Sequence, residues 1–202
     1  VGTVAGRPAE PAVALYSSFS SGDIRTTDAT TAEFVKLVQN ASRDVNIAYA
    51  NEVSKLAHEL DIDSRHAIRL ANEHPRVDIL DPGPGVGGHC IPIDPLFLSH
   101  GSDVPMLIET ARTVNDGMAG FVVELLNAAL GELAGSTIVL LGVAYKGGVA
   151  DTRESPTLAL ANRLDHTGIA EVRLTDPYVD ADTLDRPLLT LEDSIDGADA
   201  VV

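Results

Sequence analysis

The 202-residue sequence contains a single cysteine, Cys90, and this scarcity excludes an internal disulfide framework. A chain without disulfides is typical of a reducing compartment, so we expect a cytoplasmic protein. No apolar run approaches the roughly 20 residues that a membrane-spanning helix needs, and no secretory signal pattern is found. We therefore expect no membrane partner.

Basic residues are scarce as well. The chain has 14 Lys and Arg against 30 Asp and Glu, and its formal net charge is −16. Such an acidic surface repels the phosphate backbone of nucleic acids, so a nucleic-acid partner is not expected. The three lysines, Lys36, Lys55 and Lys146, can still bind a phosphorylated small molecule locally. No set of His, Cys, Asp and Glu has metal-ligand spacing, and no metal is expected.

The first two thirds of the chain have the periodicity of helices. Residues 28–60 predict one long helix, because apolar side chains recur at helical spacing without an interrupting Gly or Pro. Thr30 and Glu33 match a capping box at its start. About 30 helical residues would extend roughly 45 Å, a length that often lies at a subunit interface. Further helices are predicted over 64–72, after Asp63 as the cap, and over 103–133, with a break near Gly117.

The two ends of the chain differ from this helical middle. Residues 1–27 are too few to form a core and predict only a short helix over 11–16 and a strand over 23–26. After Gly135, buried-strand patterns appear over 137–143, 171–175 and 199–202, with a helix over 157–164. Strand, helix and strand in this order are typical of a doubly wound sheet, so the fold class is predicted to be α/β.

Cys90 ends a loop that contains four glycines, DPGPGVGGHC at 81–90. Glycine allows the backbone to approach a ligand closely, so a lone thiol on such a loop is a candidate nucleophile. A small buried residue behind a tight turn is the alternative for Cys90. Asp94 precedes Pro95 and matches a helix N-cap, which would also fix a carboxylate near the thiol. His89 is a weaker candidate base for Cys90, because adjacent side chains on an extended loop diverge.

Two further sets of polar residues carry candidate chemistry. Lys36 and Asn40 share one face of the long helix beside apolar neighbours, where a lysine acts as a base or holds an anion, or else simply extends into solvent. Tyr145, Lys146 and Arg153 follow the first strand of the α/β part, at the end where ligands bind. The dinucleotide fingerprint G-x-G-x-x-G is not found after this strand.

Three separated segments together resemble one family. They are TAEFVKLVQNASRDVNIAYANEV at 31–53, HPRVDILDPGPGVGGHCIPIDP at 74–95 and GVAYKGGVADTRESP at 142–156. The chain resembles the nucleotide-sugar 6-dehydrogenases of the UDP-glucose/GDP-mannose dehydrogenase family. GPGVGGHC followed by IPIDP is most like the branch that acts on UDP-N-acetylmannosamine.

The resemblance implies a division of the chain. Residues 1–27 would be the tail of an N-terminal NAD-binding domain, and residues 28–134 a helical central dimerisation domain built on the long helix. Residues 135–202 would be an incomplete Rossmann-like domain that binds the nucleotide sugar. A homodimer through the long helix is implied. Without the glycine-rich NAD loop, the isolated chain is expected to be inactive.

The resemblance also implies a reaction, the NAD-dependent oxidation of the sugar C6 alcohol to a carboxylate in two steps. Cys90 would form a thiohemiacetal and then a thioester. Lys36 and Asn40 would stabilise the oxyanion, Lys36 would also assist proton transfer, and Asp94 would handle the water or its proton.

Substrate and cofactor contacts carry over in the same way. The loop that includes Asp81, Gly85, Val86 and Gly87 would wrap the sugar and diphosphate. Arg76 would reach the substrate of a neighbouring subunit. Tyr145 and Lys146 would hold the substrate in the last domain, and Arg153 would contact NAD.

Other functions remain open from the sequence. A non-catalytic dimerisation module is favoured by the long helix and by the missing NAD loop. A third hypothesis is a thiol enzyme of a different class, in which His89 would be the base. UDP-glucose, GDP-mannose and UDP-N-acetylglucosamine remain alternative substrates.

Overall fold

The computed structural model describes residues 1–5, 7–104, 106–166 and 171–202. The fold is α/β, as predicted, with helices in the first part of the chain and a parallel sheet in the last part. The long helix α2 (Ala29–Glu59) is confirmed. Its N-cap is Asp28, whose carboxylate accepts a hydrogen bond from the Thr31 N–H at 2.8 Å. The predicted capping box is therefore wrong, because Thr30 already lies inside the helix.

The segment before α2 contains strands β1 (Gly2–Thr3) and β2 (Thr27–Asp28) and helix α1 (Glu10–Ser17). The predicted helix is confirmed, and α1 buries no residue. The strand predicted over 23–26 is wrong, because the extended pairing falls at β2, which runs parallel to β1. Two-residue strands of this kind have no periodicity that a sequence pattern can report.

The helical part continues with α3 (Ser64–Ala71), α4 (Asp94–Ser99), α5 (Met106–Asp116) and α6 (Met118–Leu130). The predicted cap on α3 and the predicted break at Gly117 are confirmed. Residues 77–93 between α3 and α4 form neither helix nor strand. Helix α2 packs against α4 and α5. Small apolar side chains are buried on α2 and α5, and their size allows neighbouring segments to approach closely: Ala41, Ala48, Ala50, Ala57 and Ala111.

The α/β part contains β3 (Thr137–Leu141), α7 (Pro156–Asp165), β4 (Glu171–Thr175), α8 (Leu191–Ile195) and β5 (Ala200–Val201). All three strands are parallel, in the order β4-β3-β5, and each predicted strand is confirmed. The core between this sheet and the helices α6 and α7 contains large aliphatic side chains that are at most 1% exposed: Ile138, Leu140, Leu160, Leu164 and Leu174.

Topology brings functional loops to one edge of this sheet. The carboxyl ends of β3 and β4 lie side by side, since Leu141 pairs with Thr175 in the parallel register. The loop after β3 and the turn after β4 therefore leave the sheet together, at the edge where ligands of such sheets bind. Among the residues that the model describes, no helix combines the length and the apolar character needed to cross a bilayer.

Candidate active site

Cys90 is exposed at the end of the glycine loop. Its carbonyl accepts hydrogen bonds from the N–H groups of Ile93 at 3.3 Å and of Asp94 at 2.8 Å. This turn connects the thiol-bearing residue directly to the start of α4. The alternative of a small buried cysteine behind a tight turn is therefore wrong, and the sulfur is accessible to a ligand.

Asp94 connects this turn to α2. Asn40 Nδ2 donates a hydrogen bond to Asp94 Oδ2 at 2.5 Å. The residue at the N-cap of α4 is Ile93, and the helix has no side-chain cap. The predicted cap at Asp94 is wrong, because the tertiary partner Asn40 takes the carboxylate that the local pattern assigns to the backbone.

Lys36 lies one helical turn before Asn40 on α2. It is exposed, and together with Asp94 and Phe97 it lines a cavity of about 620 Å³. The structure thus brings Lys36, Asn40 and Asp94 to one surface, with Cys90 one turn before Asp94 in the chain. This is an amine, an amide and a carboxylate beside an accessible thiol.

The glycine loop also packs against the segment that follows β3. The Gly88 N–H donates a hydrogen bond to the Arg153 carbonyl at 3.1 Å. A Cβ atom at Gly87 would lie 2.5 Å from the Glu154 carbonyl oxygen and 2.7 Å from the Tyr145 Cβ. Contacts this short require glycine. The loop therefore joins the helical part to the α/β part beside Cys90.

Arg153 lies on the segment that the glycine loop contacts, since its carbonyl accepts the Gly88 N–H. The Arg153 guanidinium donates hydrogen bonds to Asp151, with Nε to Oδ1 at 2.8 Å, and these bonds lower the pKa of Asp151 to about 2. The same pair raises the pKa of Arg153, to which Cys90 contributes as a weaker Coulombic partner. His89 is exposed. Arg153 therefore remains a permanent positive charge on the segment that contacts the Cys90 loop.

A second cavity, of about 360 Å³, opens at the carboxyl end of β3. Tyr145 and Lys146 line it, as does Tyr178 from the turn after β4. Tyr145 also contacts the glycine loop. The cavity thus lies beside the glycine loop, at the sheet edge where nucleotides bind in doubly wound folds.

Asp176 holds the walls of this cavity, a role that the sequence analysis missed. Its carboxylate accepts four backbone hydrogen bonds at 2.7–3.1 Å, from the N–H groups of Val143, Ala144, Tyr178 and Val179. Burial raises the pKa of Asp176, but the four N–H donors together outweigh burial and bring the pKa below its ordinary value. The available signal was an Asp-Pro pair directly after a buried strand.

The remaining residues predicted to bind substrate do not line the cavities that contain Lys36 or Tyr145. Gly85 and Val86 line a third cavity, of about 430 Å³, between the loop and the start of α7. Arg76 and Asp81 are exposed and line none of these three cavities.

A buried polar cluster behind the loop was also missed. Asp44, Asn51 and Asn115 are at most 1% exposed, and Arg112 is 7% exposed. Asp44 and Asn51 lie on the same face of α2 as buried alanines. A polar residue inside an alanine stripe was the signal that could have identified them.

The chain offers little to a dinucleotide. The loop after β3, where a doubly wound domain would hold one, lacks the G-x-G-x-x-G fingerprint. Arg153, with a side chain 63% exposed on the segment that contacts the glycine loop, suits one anionic or carbonyl group of a cofactor. The residues present therefore fit a single contact to NAD and do not form a complete cradle.

Family models match both parts of the chain. The central domain of the UDP-glucose/GDP-mannose dehydrogenase family matches residues 30–117, and the UDP binding domain of the same family matches residues 139–202. These two matches contain the Lys36 and Cys90 region and the Tyr145 cavity, respectively.

Individual proteins agree with these matches. UDP-N-acetyl-D-mannosamine dehydrogenase from Methanocaldococcus jannaschii is 48% identical over 202 residues, which cover 100% of this chain and 46% of that protein. The structure of UDP-D-ManNAc dehydrogenase from Pyrococcus horikoshii has 46% identity and a TM-score of 0.85, covering 96% of this chain and 46% of that one. A UDP-glucose dehydrogenase from Pyrobaculum islandicum has 27% identity and a TM-score of 0.80, covering 96% and 48%.

The chain spans about half the length of the curated relatives that it matches. The similarity extends through both matched domains and through the loop that carries Cys90. The chain belongs to the UDP-glucose/GDP-mannose dehydrogenase family.

Proposed function

We propose that this chain provides the thiol and the sugar-binding residues of an NAD-dependent nucleotide-sugar 6-dehydrogenase. Its substrate is UDP-N-acetylmannosamine or a related nucleotide sugar, whose C6 alcohol becomes a carboxylate. The observation that carries this proposal is the accessible Cys90, joined through Asp94 to Asn40 on the helix that also bears Lys36. The names of the relatives with 46–48% identity support the choice of sugar.

In the proposed mechanism, Cys90 acts on the C6 aldehyde that the first oxidation produces. The thiolate forms an S–C bond to C6, and the carbonyl electron pair moves onto oxygen. Lys36 and Asn40 stabilise this oxyanion, because an ammonium and an amide N–H both place positive charge towards it. NAD, when bound, supplies the acceptor for the hydride that leaves in each oxidation.

The thioester formed by the second oxidation must then be cleaved by water. Asp94 lies one turn from Cys90 and takes a proton from the attacking water. The C–S bond breaks, the thiolate of Cys90 is restored and the carboxylate leaves. The hydrogen bond from Asn40 orients the Asp94 carboxylate for this step.

The substrate lies between the glycine loop and the sheet edge. We propose that Tyr145 and Lys146 hold the nucleotide in the cavity after β3, with Lys146 providing positive charge for the diphosphate. Asp81, Gly85, Val86 and Gly87 wrap the sugar and diphosphate. Arg76, which is exposed, reaches the substrate of a second subunit, and Arg153 contacts the cofactor.

We also propose the division of the chain into residues 1–27 as the tail of an NAD-binding domain, 28–134 as the central domain and 135–202 as the sugar-nucleotide domain. A homodimer forms along α2. Large apolar side chains on this helix are 40–58% exposed and support that arrangement: Phe34, Val38, Tyr49 and Leu56.

The test uses a fusion of this chain to the portion of the Pyrococcus horikoshii relative that the chain does not cover. We expect this fusion to form NADH and the uronic acid from UDP-N-acetylmannosamine, and Cys90→Ala to lower acid formation by on the order of 10³-fold or more. UDP-glucose and GDP-mannose are assayed in parallel. Wild-type rates of acid formation in Cys90→Ala would reject the mechanism.

His89→Ala is the control that separates this proposal from a thiol enzyme of another class. Since exposed His89 has no role in the proposed oxidation, its removal leaves acid formation near the rate of the parent fusion. Acyl transfer by Cys90 that depends on His89, in the absence of NAD, would favour the other class.

A further inference from the structure

We propose that Asn51 is a positioning residue that fixes the Cys90 loop along α2. This inference rests on the proposed role of Cys90 as the nucleophile. Asn51 is fully buried, and its Oδ1 accepts a hydrogen bond from the Gly83 N–H at 2.9 Å. Gly83 lies in the irregular segment that leads to Cys90, seven residues before the thiol.

The amide of Asn51 is held in one orientation by its neighbours. Asn51 Nδ2 donates to Asn115 Oδ1 at 2.8 Å. Asn115 Nδ2 in turn donates to the Asp44 carbonyl at 3.0 Å and to Asp44 Oδ1 at 2.8 Å. Because both of these Asp44 atoms are acceptors, Asn115 must point its NH₂ group towards them and its oxygen towards Asn51.

The direction of the whole chain of hydrogen bonds follows from that constraint. Asn51 must give its NH₂ group to Asn115, so its oxygen is the atom left to face Gly83. Asp44 Oδ1 also accepts a hydrogen bond from Arg112 Nη1 at 2.5 Å. The series of hydrogen bonds therefore begins at a buried carboxylate that is paired with a cation. The acceptor presented to the loop is therefore set by three helical residues, Asp44, Asn51 and Asn115.

The loop is tied to α2 on both sides of the thiol. Asn51 binds Gly83 before Cys90, and Asn40 binds Asp94 after it. Asn40 and Asn51 are eleven residues apart, which is about three helical turns and places them on one face of α2, roughly 16 Å apart along its axis. The intervening loop is held at both ends beside this face, which also carries Lys36.

The other anchors of the irregular segment come from elsewhere. Asn72, at the end of α3, exchanges two hydrogen bonds with the backbone of Ile79, at 2.8 and 2.9 Å. Gly88 binds the Arg153 carbonyl. The hydrogen bond from Gly83 to Asn51 thus fixes the position of the first part of the loop relative to α2. Loss of this bond should shift Cys90 relative to Lys36 and Asn40.

The experiment measures the fusion enzyme described above and two variants at this position. Asn51→Ala removes both hydrogen bonds, and Asn51→Asp keeps an acceptor for Gly83 but turns a second oxygen towards Asn115. We expect Asn51→Ala to lower kcat, expressed per folded molecule, by about 10- to 100-fold with KM changed less than about threefold, because a small misplacement of reacting groups acts on the chemical step. Asn51→Asp lowers kcat in the same direction.

A matched control and a direct probe accompany these rates. Asn46→Ala removes an exposed amide from the same helix and keeps the parent kcat. Amide hydrogen exchange reports the Gly83 N–H, which we expect to exchange at least about tenfold faster in Asn51→Ala while the Ile79 N–H stays protected. If Asn51→Ala does not fold, the kcat and KM of Asn51→Asp carry the test, because that variant keeps the acceptor for Gly83 and changes the contact with Asn115.

The outcomes separate the two proposals. Parent kcat in both Asn51 variants, or unchanged exchange of Gly83 in Asn51→Ala, would overturn the positioning role. A fall in kcat matched by an equal rise in KM would also overturn it. The role of Cys90 is judged by Cys90→Ala alone, so the nucleophile can be upheld while the inference about Asn51 is rejected.

Discussion

At Gly87 the backbone has space for a hydrogen atom and for nothing larger. The atoms that a Cβ would meet include the Glu154 carbonyl oxygen and the Pro156 Cδ, at 2.5 and 2.8 Å. Neither is the free end of a flexible side chain. At Gly83, by contrast, a Cβ would meet no atom within 4 Å. The two glycines occupy the same loop and differ in what their hydrogen atoms face.

We expect Gly87→Ala to lower the free energy of unfolding by about 1–3 kcal/mol, because the added methyl group forces the loop away from the segment after β3. Gly83→Ala should leave stability unchanged to within about 0.5 kcal/mol. Urea unfolding of the chain and both variants measures the difference. Equal midpoints for the two variants would contradict this account of the contact.

Individual residues were predictable to different degrees. Cys90 stood out because a lone thiol on a glycine loop is a rare pattern. Asp94 was assigned to the wrong partner, since one carboxylate satisfies both a cap pattern and a distant amide. Asn51 and Asp176 were missed because their partners are backbone groups or distant side chains, which no local spacing specifies.

At the scale of elements, α2 and α5 are joined by a buried ion pair. Arg112 Nη1 lies 2.5 Å from Asp44 Oδ1, and the two side chains are 9% and 0% exposed. Arg112 also binds Asp116. Burial raises the pKa of Asp44, although Arg112 and Asn115 act in the opposite direction. The charge of Asp44 is therefore tolerated only because its partners surround it.

We expect Arg112→Met to destabilise the chain by about 3–5 kcal/mol at pH 7, since it leaves a buried carboxylate without a cation. A carboxyl with a raised pKa in the folded state costs more stability as pH rises above its ordinary value of about 3.9. The deficit should thus be smaller at pH 4 than at pH 7, as measured by urea unfolding at both values.

Arg25→Met is the control for this prediction. Arg25 pairs with Asp23 at side-chain exposures of 86% and 82%, where solvent screens the charges. Its removal should leave the unfolding midpoint in place at both pH values. A deficit in Arg112→Met that grows at low pH would refute the assigned cost of the Asp44 charge.

Elements with a repeating pattern were the predictable ones. α2 and the strands β3 and β4 follow from periodicity and buried runs, and their bounds were predicted to within two residues. The irregular segment at 77–93 has no such pattern, because its path depends on anchors from α2, α3 and the loop after β3.

At the scale of the whole molecule, one side of α2 exposes apolar side chains that no other part of the described chain covers. Tyr49 is 55% exposed and Leu56 is 53% exposed, and they are seven residues apart on one side of the helix. An apolar stripe on a 31-residue helix is a surface that a second copy can cover.

We expect the chain to sediment as a dimer and the double variant Tyr49→Glu, Leu56→Glu to sediment as a monomer, because two buried carboxylates would face their symmetry mates. Leu15→Glu, at a site 63% exposed on α1, should remain a dimer. Sedimentation velocity at several concentrations distinguishes these species. A monomeric wild-type chain would remove the basis for the dimer.

The contacts of Gly87 and Gly88 fix the loop that carries Cys90 against the segment after β3. The peptide groups and the Tyr145 ring are packed closely there, so a displacement of the α/β part relative to the helices would move the loop that carries Cys90. We therefore expect any relative movement of the two parts to be transmitted through this contact to the backbone of Cys90.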